Sequence, residues 1–545
     1  MKAQVDISDV EKLKKQPTIC TFCGCGCAFY LFPEGFLVPA QNHPISRGKL
    51  CLRGWSYPDL IFTPNRLKAP LVRRNNELTE TSWDEALQIA SEKLKAIRDK
   101  YGGDAIGVLG SARASVEDNF TLYQFASKVL GTKNIDSFYR LGFLPSENFS
   151  FPDLEKADQI ILLSCDIAER HPQAASFVTG ALSQGAFLYV IDSRLPQMGR
   201  LASIHIQPSP MELLEEVENF IDNLEVKGNA YLLYSSEITL YGWAYEVQNV
   251  LNKAIAKGIK PVFLCDYANQ RGMIEAGIHT QGGLSFYEML EEAKKGNLKA
   301  LVIMADNPSE RFPQLFREAR EKLDFLLVID PLRTDAVEMA DVAIPGTFFF
   351  EKEGTTVNAE GRRQALHPTV PSKLEKNEID VLLILSDKLG SRLPFPSAEL
   401  IEMERKEWKP ELKPISPNPQ NPDYPFTLLL DPSYIWSGTA IADATFIFKR
   451  ESGIILSDFP DGFLNINSED AKEMKLRDRM IVKVETPRGS VSLPVLTSLR
   501  AGRGVLLFPL YLWEKVSGEL GGVEIDQSLG MPIFKPLPAR IAKEE

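Results

Sequence analysis

The chain has 545 residues, 44% of them apolar and 25% charged, with a net charge of −12. That length exceeds what one hydrophobic core supports and predicts three or four domains of roughly 100–200 residues. The acidic balance argues against a nucleic-acid partner, which needs a basic surface for phosphates, and no apolar run approaches the ~20 residues of a membrane-spanning helix.

The amino-terminal MKAQVDISDVEKLKKQ carries neither an apolar signal core nor a twin arginine. A cytoplasmic location without direct membrane insertion is therefore expected. In a reducing compartment, clustered cysteines bind metal more often than they form disulfides.

Residues 19–27 read ICTFCGCGC, and KLCLRGW follows at 49–55. The spacing is Cys20-x2-Cys23-x3-Cys27-x23-Cys51, with Cys25 left over. Structural zinc sites usually take two pairs of ligands from two knuckles. Here three thiolates come from one tight turn and a fourth from afar, which suits a cubane with three irons facing one loop. Gly24 and Gly26 let backbone N–H groups approach the sulfurs. The spacing predicts one [4Fe–4S] cluster on Cys20, Cys23, Cys27 and Cys51, with zinc as the alternative metal and Cys25 as the alternative to Cys27.

Further along, Ser82 and Glu85 form a predicted capping box, opening a helix through Leu87, Ala90, Leu94 and Ile97 that Gly102 and Gly103 end. Apolar runs at 105–109, 159–164, 186–191, 261–265, 299–304 and 324–329 then alternate with helical stretches including 172–184, 211–224 and 286–295. Near-continuous apolar strands are covered on both faces, so a doubly wound α/β region large enough for two domains is expected. These runs end in polar residues, among them Asp166, Asp192, Asp266, Asp306 and Asp330, on the side where open sheets bind ligands. Polar residues also end strands that bind nothing.

Eight prolines between Pro394 and Pro425 predict a surface linker. Beyond it, IVKVETPRGSVSLPV predicts two alternating strands around a Pro-Arg-Gly turn in a β-barrel-like final domain. Cys165 and Cys265 read as small core residues, and His43, His205, His279 and His367 as surface or interface histidines.

CTFCGCGCAFY and GKLCLRGW resemble the amino-terminal iron–sulfur motif of the molybdopterin oxidoreductases, nearest to formate dehydrogenase catalytic subunits. The large iron–sulfur subunit of complex I-type NADH dehydrogenases is a relative of the same fold. GSARASVEDNF, RHPQAA, VIDSR, MADNPS, ADVAIPG, EKEGTTVNAEGRRQ and INSEDAKEMKLRDRMIVKVETPRGSV resemble family stretches in the family's order. VNAEGRRQ is closer to the complex I branch.

The resemblance implies a multidomain α/β fold with a small [4Fe–4S] domain over 1–70, completed by 347–372. One α/β domain would span 71–135, 271–346 and 373–393, and a second 136–270. A linker at 394–425 and a C-terminal β-barrel domain at 426–545 would follow. In the family, a pterin guanine dinucleotide pair holds molybdenum or tungsten. If a pterin binds here, the positions implied are Arg53, Arg113, His171, Asp192, Arg194, Asn307, Gly438 and Thr439, although a histidine at a helix start would read like His171.

Three departures bear on function. Formate dehydrogenases place a metal-ligating cysteine or selenocysteine two residues after an arginine, then a histidine; after Arg140 this chain has Gly142 and Phe143. These provide neither a donor for the metal nor a base, so no catalytic residue is expected. The family's guanine-gripping Gly-Thr-Asp becomes Gln207-Pro208-Ser209-Pro210-Met211, and its His-Thr-Gly-Thr becomes Trp436-Ser437-Gly438-Thr439.

The leading expectation is an electron-relay and scaffold subunit with one [4Fe–4S] cluster and no molybdenum or tungsten bis-pterin. Its partners would be a flavoprotein or a ferredoxin-like iron–sulfur subunit. The alternatives are a molybdenum or tungsten oxidoreductase whose metal has no protein ligand, and a cluster protein that keeps pterin as a structural ligand.

Overall fold

The computed structural model describes residues 16–144, 146–280, 282–432, 439, 441, 444–445, 458–521 and 523–543. The chain divides into two units. One comprises residues up to Arg140, Tyr267–Trp408 and Thr439–Ile447; the other comprises Leu141–Asp266, Lys409–Gly438 and Phe448–Glu545.

In the first unit, antiparallel strands Thr18–Ile19, Ala28–Leu31 and Leu37–Pro39 make a small sheet, and the cysteine loop connects the first two. Ile19, Ala28 and Ala40 pack there against Phe349 and Leu366. A seven-stranded sheet runs in the order Glu77–Glu80, Leu71–Arg74, Val342–Pro345, Phe325–Asp330, Ala300–Met304, Ile106–Leu109, Ile135–Asp136. Ala300–Met304 pairs in parallel with both neighbours, and all three strands are buried throughout. Double coverage explains their unbroken apolar sequence.

Helix Trp83–Tyr101 packs on this sheet, and Ser82 caps it by accepting the Glu85 N–H. The reciprocal half of the expected box is not made. The Glu85 carboxylate accepts from Thr81 and pairs with Arg74 instead.

Residues 397–408 differ from the expected linker. Ser397 caps a short helix, Ala398–Met403, whose Ile401 and Leu400 enter a core with Val116, Phe120 and Val357. Arg405 pairs with Glu275, and the Lys406 N–H donates to the Glu275 carbonyl. The stretch between Pro396 and Pro410 holds no proline, so one helical turn fits there. His279 also departs from expectation: it is 4% exposed, stacked near Trp408, and burial pushes its pKa down to about 4.

In the second unit, five parallel strands run in the order Ile204–Ile206, Phe187–Ile191, Gln159–Leu163, Ala230–Ser235, Ile259–Leu264. Ala230–Ser235 was not among the expected strands. Its apolar run passes straight into helix Ser236–Leu240 with no glycine or proline to mark the boundary. The same unit holds a closed six-stranded barrel containing the expected hairpin, with Thr486 opposite Gly489. The Tyr241 hydroxyl joins sheet to barrel by donating to the Leu430 carbonyl at 2.8 Å.

Buried Lys352 ties several parts of the first unit together. Its ammonium lies 2.5 Å from Asp118 on helix Val116–Gln124 and 3.2 Å from Glu378 on helix Glu378–Lys388. Lys352→Met leaves two carboxylates buried without their cation, and should cost roughly 3–5 kcal/mol. Urea denaturation should show the midpoint falling with little change in slope.

Candidate functional site

The cysteine loop closes on itself where the Cys20 N–H donates to the Cys27 carbonyl at 2.8 Å. Cys20, Cys23, Cys25 and Cys27 are buried, and Cys51 is half-buried. Three successive carbonyls of the loop are held by the hairpin Gly354–Val357/Arg363–Leu366 and its turn. Gly24 accepts from the Ala359 N–H at 2.8 Å, Cys25 from Asn358 Nδ2 at 3.2 Å, and Gly26 from Gln364 Nε2 at 2.8 Å. Gly26 has φ +65°, and a Cβ there would lie 2.2 Å from Gln364 Oε1, so glycine is required.

The thiols act on one another. Burial, then Cys51 and Cys23, push Cys20 up; burial, then Cys23, Cys20 and Cys51, do the same to Cys27. Cys23 is pushed down to about 6, first by a hydrogen bond from the Cys25 side chain and, against burial, by Arg53. Burial would lower the pKa of the Arg53 guanidinium, but the surrounding thiolates raise it. Among the described residues no three His, Cys, Asp or Glu groups converge on a single ion. A cubane needs no such point, because each thiolate binds its own iron. The donor set and its cation fit an iron–sulfur cluster.

At the carboxyl ends of the seven-stranded sheet, Arg113 pairs with Glu310 at 2.9 Å and lies over the Tyr139 ring. Asp306 accepts from Ser137 Oγ and the Phe138 N–H, and Asp330 from the Leu332 N–H. Asn307 is buried and opens the turn Pro308–Glu310. Burial pushes Asp306 up to about 8 and Asp330 up to about 7, overriding Arg113. Thr21, Arg113, Asp330 and Thr347 line a cavity of about 20 Å³, room for one water.

In the second unit the strand order reverses between Gln159–Leu163 and Ala230–Ser235. Such a reversal opens a ligand crevice at the carboxyl ends. Helix Ser236–Leu240 begins there, and Glu237, 1% exposed, sets its carboxylate against two guanidiniums. One oxygen lies 2.6 Å from Arg170 and the other meets Arg194. Asp266 takes another face of Arg170 at 2.5 Å, while Asp192 and Asp431 bind Arg194 at 2.9 and 3.2 Å. Arg500 joins Asp431 to Asp166. Burial alone would raise the Glu237 carboxyl; Arg194 and Arg170 outweigh it and hold it below its ordinary value.

Gly142 lies under the same helix. It has φ +72°, its carbonyl accepts from Thr239 Oγ1 at 2.6 Å, and an added Cβ would sit 2.3 Å from Ser236 Cβ and 2.9 Å from the Ser236 carbonyl oxygen. Phe143 is buried, its ring edge-on to Phe263 of strand Ile259–Leu264 at 5.5 Å. A metal ligated by a side chain at position 142 does not fit here.

Nε2 of His171, at the start of helix Pro172–Ser183, lies 2.8 Å from the Cys265 carbonyl. Cys165 and Cys265 are buried at strand ends. Thr439 is buried, and Gly438, with Trp436 and Ser437, lies outside the described residues.

Residues 66–388 match the molybdopterin oxidoreductase family, residues 13–61 its Fe4S4 domain, and residues 453–537 the molybdopterin dinucleotide binding domain. The chain belongs to the molybdopterin oxidoreductase family, with that family's multidomain architecture of cluster domain, α/β core and carboxyl-terminal barrel.

It is 26% identical to the F420-dependent formate dehydrogenase 1 subunit alpha of Methanococcus maripaludis over 672 aligned positions, covering 96% of this chain and 99% of the relative. It is 23% identical to the assimilatory nitrate reductase catalytic subunit of Bacillus subtilis, covering 98% of each. The 672 positions exceed the 545 residues present, so that alpha subunit carries insertions absent here. Acetylene hydratase from Pelobacter acetylenicus shares the fold with a TM-score of 0.62 at 15% identity, covering 97% of this chain and 100% of that one.

Sequence reasoning missed Glu237, because the strand that delivers it was missed. The run YLLY after Gly228-Asn229 was the available signal.

Two outcomes test this geometry. Gly142→Cys should destabilise by roughly 2–4 kcal/mol, from left-handed backbone strain and overpacking, read as a lowered thermal midpoint. Asp330 has a raised pKa, so its contribution to stability is full below the unfolded value near 3.9 and is lost as pH rises through about 7. Asp330→Asn keeps the acceptor for the Leu332 N–H and removes that loss. Its gain in thermal midpoint over the natural chain should be larger at pH 8 than at pH 4.

Proposed function

We propose that this chain is an iron–sulfur electron-transfer and scaffold subunit of a larger cytoplasmic oxidoreductase complex. Its cluster ligands would be Cys20, Cys23, Cys27 and Cys51, and its molybdopterin site would be vacated. The observation that carries the reading is helix Ser236–Leu240: it presses on Gly142 where relatives would need a side-chain ligand, and it places Glu237 against arginines that an anionic cofactor would otherwise meet.

A [4Fe–4S] cluster on these thiolates supplies one-electron transfer. Arg53 keeps a positive charge beside them and favours the more negative form. Asn358, Ala359 and Gln364 hold the loop carbonyls and so fix the direction of the intervening N–H groups. Phe143, turned into the sheet core, cannot serve as a base. We also propose the domain limits expected from the resemblance, except that 397–408 belongs with the α/β domain on which it packs.

A single one-electron cluster needs further redox groups to complete a two-electron reaction. The proposed partners are a flavoprotein or a ferredoxin-like subunit, and the relatives' designation as alpha or catalytic subunits agrees with a multisubunit setting. Among the described residues no helix is long and apolar enough to cross a membrane.

The second reading is an active molybdenum or tungsten bis-pterin oxidoreductase whose metal has no protein ligand. The match of residues 453–537 to the dinucleotide binding domain favours it.

Elemental analysis separates the two readings. The relay reading expects about four irons per chain, no molybdenum or tungsten, and no formate oxidation with an artificial dye. Cys51→Ala should lose the iron and Cys25→Ala should keep it. Stoichiometric molybdenum or tungsten in the native complex would falsify the relay reading and favour the second.

A further inference from the structure

Cys51 differs from the other cysteines of the motif in being half-buried. Helix Leu52–Trp55 starts on the next residue, with Leu52 47% and Trp55 49% exposed, one turn apart. Phe36 and Phe62 are also exposed. Phe36 stacks on Phe32, and Phe62 lies over the Gly35 turn, where an added Cβ would come within 2.4 Å of its ring. These four are among fourteen exposed large apolar side chains in the described residues, yet they fall within residues 36–62. Four exposed large apolar side chains on one 27-residue stretch exceed the scattering of single apolar groups that a solvent-facing surface normally shows.

Charge selects the partner. The 36–62 stretch contains one acidic residue, the half-buried Asp59, with exposed Glu34 just before it, although the chain carries 73 acidic residues, and it includes the exposed cations Arg47 and Lys49. In a protein of net charge −12 this stretch is a local reversal of sign.

We infer that Leu52, Trp55, Phe36 and Phe62, with Arg47 and Lys49, form the docking face for an acidic iron–sulfur protein that exchanges single electrons through the Cys51 edge of the cluster. The inference rests on the relay reading above and adds to it the partner's class and the face it uses. A one-electron carrier suits a one-electron cluster. An acidic carrier is steered by the cations, and an apolar contact around Trp55 excludes water beside Cys51.

The test uses the full chain with its cluster and, as probe, a small acidic two-cluster ferredoxin reduced with dithionite. Stopped-flow absorbance follows electron transfer at low and high salt. The natural chain should react fast at low salt and slow as salt rises. The double variant Arg47→Glu/Lys49→Glu should react ~10-fold or more slowly at low salt and lose its salt dependence. Trp55→Glu should be slow at every salt concentration, and Phe187→Glu, on the other unit, should match the natural chain.

Iron content and the dithionite-reduced spectrum of each variant report on the cluster separately. A chain without iron, or with iron that dithionite does not reduce, overturns the relay reading and this inference with it. A reducible cluster whose ferredoxin rate is equal in all variants, or a natural chain that ignores salt and reacts faster with a flavodoxin, overturns the inference alone.

Discussion

Buried guanidinium groups at the ends of strands need anions, because an uncompensated charge in a protein interior costs several kcal/mol. In the second unit Arg170 and Arg194 are in that position, and the chain meets the need from within. Glu237 serves both, with Asp266, Asp192 and Asp431 completing the set. Glu237 makes both contacts from the first turn of helix Ser236–Leu240. The helix in turn lies against Gly142, which only a residue without a side chain tolerates, and Phe143 is turned into the sheet core. One short helix thus carries the carboxylate that serves both guanidiniums and fills the space beside Gly142.

Much of this was legible in the sequence where a single local rule governs. The cysteine spacing, the apolar runs of the parallel strands and the Pro-Arg-Gly hairpin are each set by short-range chemistry, and the structure has the corresponding strands and turn. Gly142 and Phe143 were visible as lacking donor atoms. The lack of room at Gly142 was not, because it depends on a residue 94 positions away. Glu237 was invisible for a related reason: a buried carboxylate and a surface one look the same in sequence, and the strand before it had no terminal punctuation. Helix Ala398–Met403 was hidden behind a proline count taken over too wide a window. His279 was read as a surface residue because nothing local records that Trp408 comes to lie beside it.

The cysteine loop and the strand ends of the second unit are built on opposite principles. Around the cysteines the protein spends its hydrogen-bond donors on loop carbonyls, through Asn358, Ala359 and Gln364, and the buried thiols are left to act on one another. At the strand ends of the second unit, acid and base side chains are matched to one another. The first arrangement is a seat that wants an occupant, since thiols buried this close together repel once ionised. In the second, each of the three guanidiniums has carboxylate partners from within the chain.

The seat is also assembled from distant parts of the chain. Gln364 reaches a carbonyl 338 residues earlier, and Asn358 one 333 residues earlier. At translation rates of 5–20 residues per second, the loop emerges roughly 20–70 s before its clamp. Throughout that interval its thiols have no fixed geometry and no hairpin shielding them. A seat with its clamp in place therefore belongs to a chain already two-thirds made. The loop carbonyls gain their partners only once residues 354–366 have been made, which makes the order of synthesis part of how the site is assembled.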